Sequence, residues 1–306
     1  MKYNYLYTKY KGRYNMEPLT LKAMAKVNLG LDVVRRMENG YHQVKMIMQT
    51  VDLYDELTFE EREGGIRIRT DREDLPADES NLIYKAAKAL QEEHFYPGVS
   101  ITLKKRIPMA AGMAGGSSDA AATFVGINRL FGLNLRKEEL CRIGVKVGAD
   151  VPYCIMGGTM LSEGIGEILT PLPDAPSCWL VVAKPDLSVS TKYVYENLHA
   201  NSLTHHPDID GVRAAIERGD LHEMCAHLEN VLETVTEKEY PVISDIKRLL
   251  VEKGALAALM SGSGPTVFGI FKDRDTAERA RQAVEEAAFA PQLYLTEFVR
   301  ETCVDA

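Results

Sequence analysis

One run of residues limits what this chain can fold into more than any other: Pro108-Met109-Ala110-Ala111-Gly112-Met113-Ala114-Gly115-Gly116-Ser117-Ser118-Asp119-Ala120-Ala121-Ala122. A strand-like segment at 99–105 precedes it, and helical spacing at Ala121, Val125 and Leu130 follows, so the run joins a strand to a helix. Small side chains let a polyanion approach the backbone. The first turn of the helix adds unpaired N–H groups and a positive dipole end. Ser117 and Ser118 contribute hydroxyls that can reach a phosphate or a bound magnesium ion. A tight turn with a Ser/Asp cap would use the same residues, but the length of the run favours phosphate. It is not a Walker A loop, because no Gly-Lys-Ser/Thr follows, and glycines at 112, 115 and 116 do not make GxGxxG.

Such a loop works against the overall charge. The 306 residues carry 36 Lys+Arg and 44 Asp+Glu, a net charge of −8. No broad basic face is left for nucleic acid, so positive potential has to be local. No apolar stretch approaches the roughly 18–20 residues of a membrane helix, and no signal-peptide core follows the basic N-terminus. A soluble, cytoplasmic protein with neither nucleic-acid nor membrane partners is expected. The five cysteines, Cys141, Cys154, Cys178, Cys225 and Cys303, form no CxxC pair. They read as small hydrophobes in a reducing compartment. The histidines contain no HExxH, and His205-His206 beside Pro207 reads as a surface loop, so no Cys/His metal site is predicted. Residues 1–15 stand apart, with four basic side chains, five tyrosines and no acid; a disordered extension is expected there.

From Ala25 the pattern is alternation, with Val27, Leu29, Leu31 and Val33 on one face and Lys26, Asn28, Gly30 and Asp32 on the other. This predicts a half-buried strand. A turn at Asn39-Gly40 leads to a second strand through Val44, Met46 and Met48. Further strands are expected near 57–61, 66–69, 99–105, 154–156, 159–162 and 179–183. Helices are expected at 80–94 with Ser80 as cap, at 117–131, 137–147, 192–199, 212–218, 221–232 and 243–253. The chain closes with strand 255–260, a glycine-rich loop, strand 267–271, helix 276–288 and strand 293–299. This order predicts an α+β protein of two closely packed domains, 16–165 and 166–306, sharing a cleft.

Two further segments can carry chemistry. Ser261-Gly262-Ser263-Gly264-Pro265-Thr266 is a second glycine loop, which alone reads equally as a hairpin. Gly148-Ala149-Asp150-Val151-Pro152 puts an acid between a helix and a strand, commonly just a turn former. With Lys26 it makes a candidate cation–carboxylate pair able to orient or deprotonate a hydroxyl beside a phosphate.

In this order, Ala25-Lys26-Val27-Asn28-Leu29, the loop 108–118 and the loop 261–266 resemble the GHMP superfamily of small-molecule kinases. Asn39-Gly40-Tyr41-His42, the Gly148 to Pro152 segment, Glu163-Gly164-Ile165-Gly166-Glu167, and Lys184-Pro185 with Ser188 to Thr191 and Tyr195 narrow the resemblance. They are similar to the branch whose acceptor is a cytidyl diphosphate. The likeness runs from about Met16 to the last strand, leaving residues 1–15 without a counterpart. It implies a two-domain GHMP kinase fold, with a ribosomal protein S5 domain 2-like N-terminal domain and a ferredoxin-like C-terminal domain. It also implies ATP with Mg2+ as phosphoryl donor, a small-molecule cytidyl diphosphate substrate, and transfer to a hydroxyl in isoprenoid precursor synthesis. Lys26 and Asp150 match the catalytic pair, and Pro108 to Ser118 match the ATP loop. Asn28, Tyr41, His42, Thr191 and Tyr195 fall where the family places substrate contacts, with Tyr41 and Tyr195 as candidate rings around the cytosine. Metal ligands, and the choice between monomer and homodimer, stay open. Met113 and Ala114 stand where many members have Leu and Gly. The alternatives are another GHMP kinase, acting on mevalonate, phosphomevalonate, homoserine or a sugar, and a non-catalytic nucleotide sensor. Gly40-Tyr41-His42 and Tyr195 disfavour the first; retention of both Lys26 and Asp150 disfavours the second.

Overall fold

In the computed structural model, which describes residues 17–305, the alternating run belongs to an 18-residue strand, β1 (Leu19–Arg36), hairpinned to β2 (His42–Glu61). The extension at 1–15 lies outside the described residues. Gly40 takes φ +87° in the turn, and the Tyr41 N–H donates to Asn39 Oδ1 at 3.1 Å. A parallel crossover follows: β3 (Ile66–Thr70), α1 (Leu82–Glu93) and β4 (Val99–Lys104). Asn81 caps α1 in place of the expected Ser80. Asn81 Oδ1 accepts from the Ile83 N–H at 2.9 Å, while the Ser80 hydroxyl donates to Asp78.

Next come α2 (Gly115–Leu130), α3 (Lys137–Gly144), α4 (Val151–Met156) and the hairpin β5 (Thr159–Gly164)–β6 (Ile168–Pro171). The strand expected at 154–156 is therefore the end of α4. A short apolar run does not distinguish a buried helix from a strand, and Pro152 in the first turn of α4 suits a helix start. The second half holds β7 (Trp179–Lys184), α5 (Thr191–Asn197), a 3₁₀ turn at Ala200–Ser202, α6 (Ile209–Arg218) and α7 (Leu221–Ala226). After these come α8 (Glu233–Glu239), α9 (Val242–Glu252), β8 (Ala257–Met260), β9 (Val267–Phe271), α10 (Arg274–Glu286), β10 (Gln292–Glu297) and β11 (Val304–Asp305). The single helix expected over 221–232 stops at Ala226, because Asn230 leaves the helical path to bridge Leu31 of β1.

Two sheets organise these elements. The first has the order β11-β1-β2-β4-β3, with β5 also pairing β2 and β6 pairing β5. The second, β10-β7-β9-β8, is antiparallel. Taken in chain order its strands stand 4-1-3-2, with helices after the first and third strands, which is the ferredoxin-like β-α-β-β-α-β arrangement. The boundary expected at 165 falls inside the β5–β6 turn: β6 extends the first sheet to Pro171, and β11 returns to β1 from the far end of the chain.

Between the two halves, β1 is buried on both faces, not one. Lys26, Asn28 and Asp32 are 5%, 0% and 7% exposed. Helix α2 covers the strands on one side, where a Cβ on Gly126 would come within 2.5 Å of the Phe59 ring. Along its edge away from β2, β1 meets the loop after β4 and the segment around Asn230, with the Lys26 N–H donating to Met113 O at 3.2 Å and the Leu31 N–H to Glu229 O at 3.0 Å; its polar face meets Gly112, whose carbonyl accepts from Lys26 Nζ at 2.8 Å. A polar strand face has been turned into the floor of a cleft.

Candidate active site

The cleft has a volume of about 1060 Å³, at the upper end of the roughly 300–1,000 Å³ common for small-molecule sites. On its floor, Lys26 Nζ donates to Asn28 Oδ1 and to Gly112 O, both at 2.8 Å. Asn28 Nδ2 faces Met46 Sδ at 3.3 Å, a weak acceptor. Burial pulls the Lys26 pKa down, and the Asp150 carboxylate opposes that shift. Asp150 lines the same cleft from the start of α4, where its side chain makes no capping bond. No direct Lys26–Asp150 ion pair forms among the described residues, so the Asp150 charge reaches Lys26 through space.

Ten of the loop residues, Pro108 to Ser117, line the cleft. Ala110, Gly112 and Ala114 alternate through the left-handed region at φ 49°, 70° and 57°, a rare conformation for alanine. Backbone of this kind turns successive N–H groups toward a common concavity suited to an anion. Ala114 meets this demand as a strained residue. Ser118 departs from expectation. It is fully buried, its hydroxyl donates to Met24 O at 2.6 Å, and its N–H bonds Ala114 O at 2.8 Å. It anchors α2 to β1 and offers nothing to phosphate.

The second glycine loop braces the first. Ser261 Oγ donates to Gly112 O at 2.9 Å, the same oxygen that holds Lys26. A Cβ on Gly112 would lie 2.0 Å from Ser261 O. Asn230 Nδ2 in turn donates to Met260 O and Gly262 O, both at 2.8 Å. Sequence reasoning missed Asn230, and it missed a buried trio under the loop. Lys105 Nζ contacts Asp55 Oδ2 at 2.5 Å and Asp119 Oδ2 at 2.7 Å. Asp55 Oδ1 also accepts the Arg106 and Ile107 N–H groups at 2.5 and 2.8 Å. Asp119 Oδ1 is buried and has no partner. Burial raises the Asp119 pKa, with the Asp55 charge adding to the rise and Lys105 opposing it.

In the same cleft, the His42 and Tyr195 rings lie 5.0 Å apart, inclined at 46°. Burial, helped by Arg36, lowers the His42 pKa, which keeps the imidazole neutral near pH 7. Tyr41 lines the cleft but is 60% exposed. Thr191 Oγ1 shares a hydrogen bond with Ser263 Oγ at 2.8 Å, linking α5 to the second loop. The structure thus brings Lys26, Asn28, Tyr41, His42, Asp150, Thr191, Tyr195 and the loop to one cavity. Ser118 is the predicted site residue left outside it.

Comparisons with known proteins fit this arrangement. Residues 81–158 match the GHMP kinases N terminal domain, and residues 212–290 match the GHMP kinases C terminal family. The chain is 53% identical over 285 residues to the 4-diphosphocytidyl-2-C-methyl-D-erythritol kinase of Lachnoclostridium phytofermentans, covering 92% of this chain and 98% of that one. The chain belongs to this kinase family. The namesake from Lachnospira eligens is 52% identical, with 92% and 99% covered. A crystal structure of a 4-(cytidine 5'-diphospho)-2C-methyl-D-erythritol kinase superposes with a TM-score of 0.80 at 31% identity, covering 92% of this chain and all of that one. As a GHMP kinase the protein is an ATP-using phosphotransferase. Among the described residues, no helix is long and apolar enough to cross a membrane.

Proposed function

We propose that the protein transfers the γ-phosphoryl group of ATP to the 2-hydroxyl of 4-diphosphocytidyl-2-C-methyl-D-erythritol. One observation carries this reading: a single cleft holds the small-residue loop, the Lys26–Asp150 neighbourhood and the His42–Tyr195 pair. An acceptor spanning from the rings to Asp150 would place its hydroxyl beside the triphosphate. The bond from the acceptor oxygen to Pγ forms, the bond from Pγ to the β,γ-bridging oxygen breaks, and the hydroxyl proton passes to Asp150. Lys26 offsets negative charge on the moving group. Asn28 orients Lys26 and can exchange its weak contact with Met46 for a substrate hydroxyl. The loop holds the triphosphate by backbone N–H groups.

The described residues contain no cluster of three His, Cys, Asp or Glu able to hold a metal by themselves. A magnesium ion that arrives on the nucleotide needs only one or two protein oxygens and keeps its waters. The unpartnered Asp119 Oδ1, one helical turn after Gly115 and Gly116, suits that need. Asp119, with the Ser117 hydroxyl, would hold the ion, which supplies charge neutralisation at the phosphates.

Base recognition yields a sharp test. Stacking on one aromatic ring is worth roughly 1–3 kcal/mol in nucleic-acid complexes. On that scale Tyr195→Ala should raise KM for the cytidyl substrate about tenfold to a hundredfold, leaving KM for ATP unchanged. His42→Ala should narrow the preference for cytosine over uracil versions, because a neutral imidazole can accept from the cytosine amine. Steady-state kinetics varying each substrate separately measure both. Equal losses for ATP and the cytidyl compound would mean that these rings support the cleft without reading a base.

A further inference from the structure

Four cationic side chains line the cleft: Lys26, Arg36, Lys105 and Lys192. Two are already committed, Lys26 to Asn28 and Gly112, and Lys105 to Asp55 and Asp119. The other two are not. The Arg36 guanidinium makes no ion pair among the described residues, and Lys192 has only Glu196 at 3.9 Å, with both side chains exposed. Their backbone positions are set by the fold. Arg36 ends β1 directly opposite His42 in the hairpin register, and its backbone N–H donates to Asn201 Oδ1 at 2.8 Å. Lys192 lies three residues before Tyr195, on the same side of α5. Because His42 and Tyr195 touch, each cation is borne on an element beside one ring of the pair, Arg36 across the hairpin from His42 and Lys192 one turn before Tyr195.

A cytidyl diphosphate with its base on those rings and its alcohol at Asp150 must pass its diphosphate between them. The protein carries a net charge of −8, so a phosphodiester-linked dianion needs local cations there. We propose that Arg36 and Lys192 form the clamp that holds the diphosphate of the acceptor, making them specificity-determining residues separate from the ATP loop. This rests on the cytidyl acceptor proposed above.

The test compares CDP and cytidine as competitive inhibitors of wild-type protein, Arg36→Gln, Lys192→Gln and the double variant, with the cytidyl substrate and ATP varied in turn. Each single variant should raise the inhibition constant of CDP about threefold to tenfold, as for one partly exposed charge on a phosphate. The inhibition constant of cytidine and KM for ATP should stay in place. The penalty on the cytidyl substrate should appear in kcat/KM through KM, and Arg36→Lys should recover part of it. Raising ionic strength should weaken CDP binding more in wild type than in the double variant. If CDP and cytidine weaken by the same factor, or neither moves while the wild type turns over the cytidyl substrate, the clamp is overturned alone. A wild type that does not use the cytidyl substrate overturns the acceptor assignment and the clamp with it.

Discussion

Asp150→Asn should lower kcat by roughly 10²-fold or more, as for loss of a positioned general base, with ATP affinity nearly unchanged. The substitution is close to isosteric, and Asp150 makes no capping bond to α4, so the fold loses little. What disappears is the carboxylate that opposes the burial-driven fall of the Lys26 pKa and that we propose as acceptor of the hydroxyl proton. Single-turnover and steady-state rates, with nucleotide titration alongside, separate chemistry from binding. A variant that keeps more than about a tenth of wild-type kcat would remove Asp150 from the proton-transfer role.

Gly112→Ala should be the most damaging conservative change in the protein. At φ +70° the new Cβ would stand 2.0 Å from the Ser261 carbonyl oxygen, which is backbone and cannot swing aside. Left-handed strain of about 1–2 kcal/mol adds to an overpacking cost of about 1–3 kcal/mol. A loss of about 2–5 kcal/mol in unfolding free energy is therefore expected. The damage should also reach the site, because the Gly112 carbonyl ties together Lys26 Nζ and Ser261 Oγ. Denaturant unfolding and nucleotide titration read the two effects. Wild-type stability with wild-type ATP affinity would mean that the two glycine loops do not meet as described.

Where the fold and the site were legible in the sequence, local patterns carried them. Alternation at Ala25 to Val33, the Asn39-Gly40 turn and the small-residue run each specify a conformation with few alternatives. What the sequence hid depends on contacts between distant segments. The polar face of β1 reads as solvated until the loop at 108–117 and Asn230 cover it, which is why a half-buried strand was expected and a doubly buried one was found. Asp55 lies 50 residues from Lys105, so no spacing rule joins them. Ser118 follows Ser117 in a phosphate-loop pattern, yet one residue along a helix rotates a side chain by about 100°, here away from the cleft and onto Met24 O. The 154–156 run misled for a different reason, since its apolar residues satisfy a buried helix as well as a strand.

One assay tests the identity of the acceptor directly. Purified protein with magnesium and ATP is given 4-diphosphocytidyl-2-C-methyl-D-erythritol, mevalonate or homoserine in parallel, and nucleotide consumption is followed together with the phosphorus spectrum of the product. Turnover is expected with the cytidyl compound alone, one ATP consumed per new phosphomonoester on its 2-hydroxyl. Comparable turnover with mevalonate or homoserine, or none with the cytidyl compound, would contradict it.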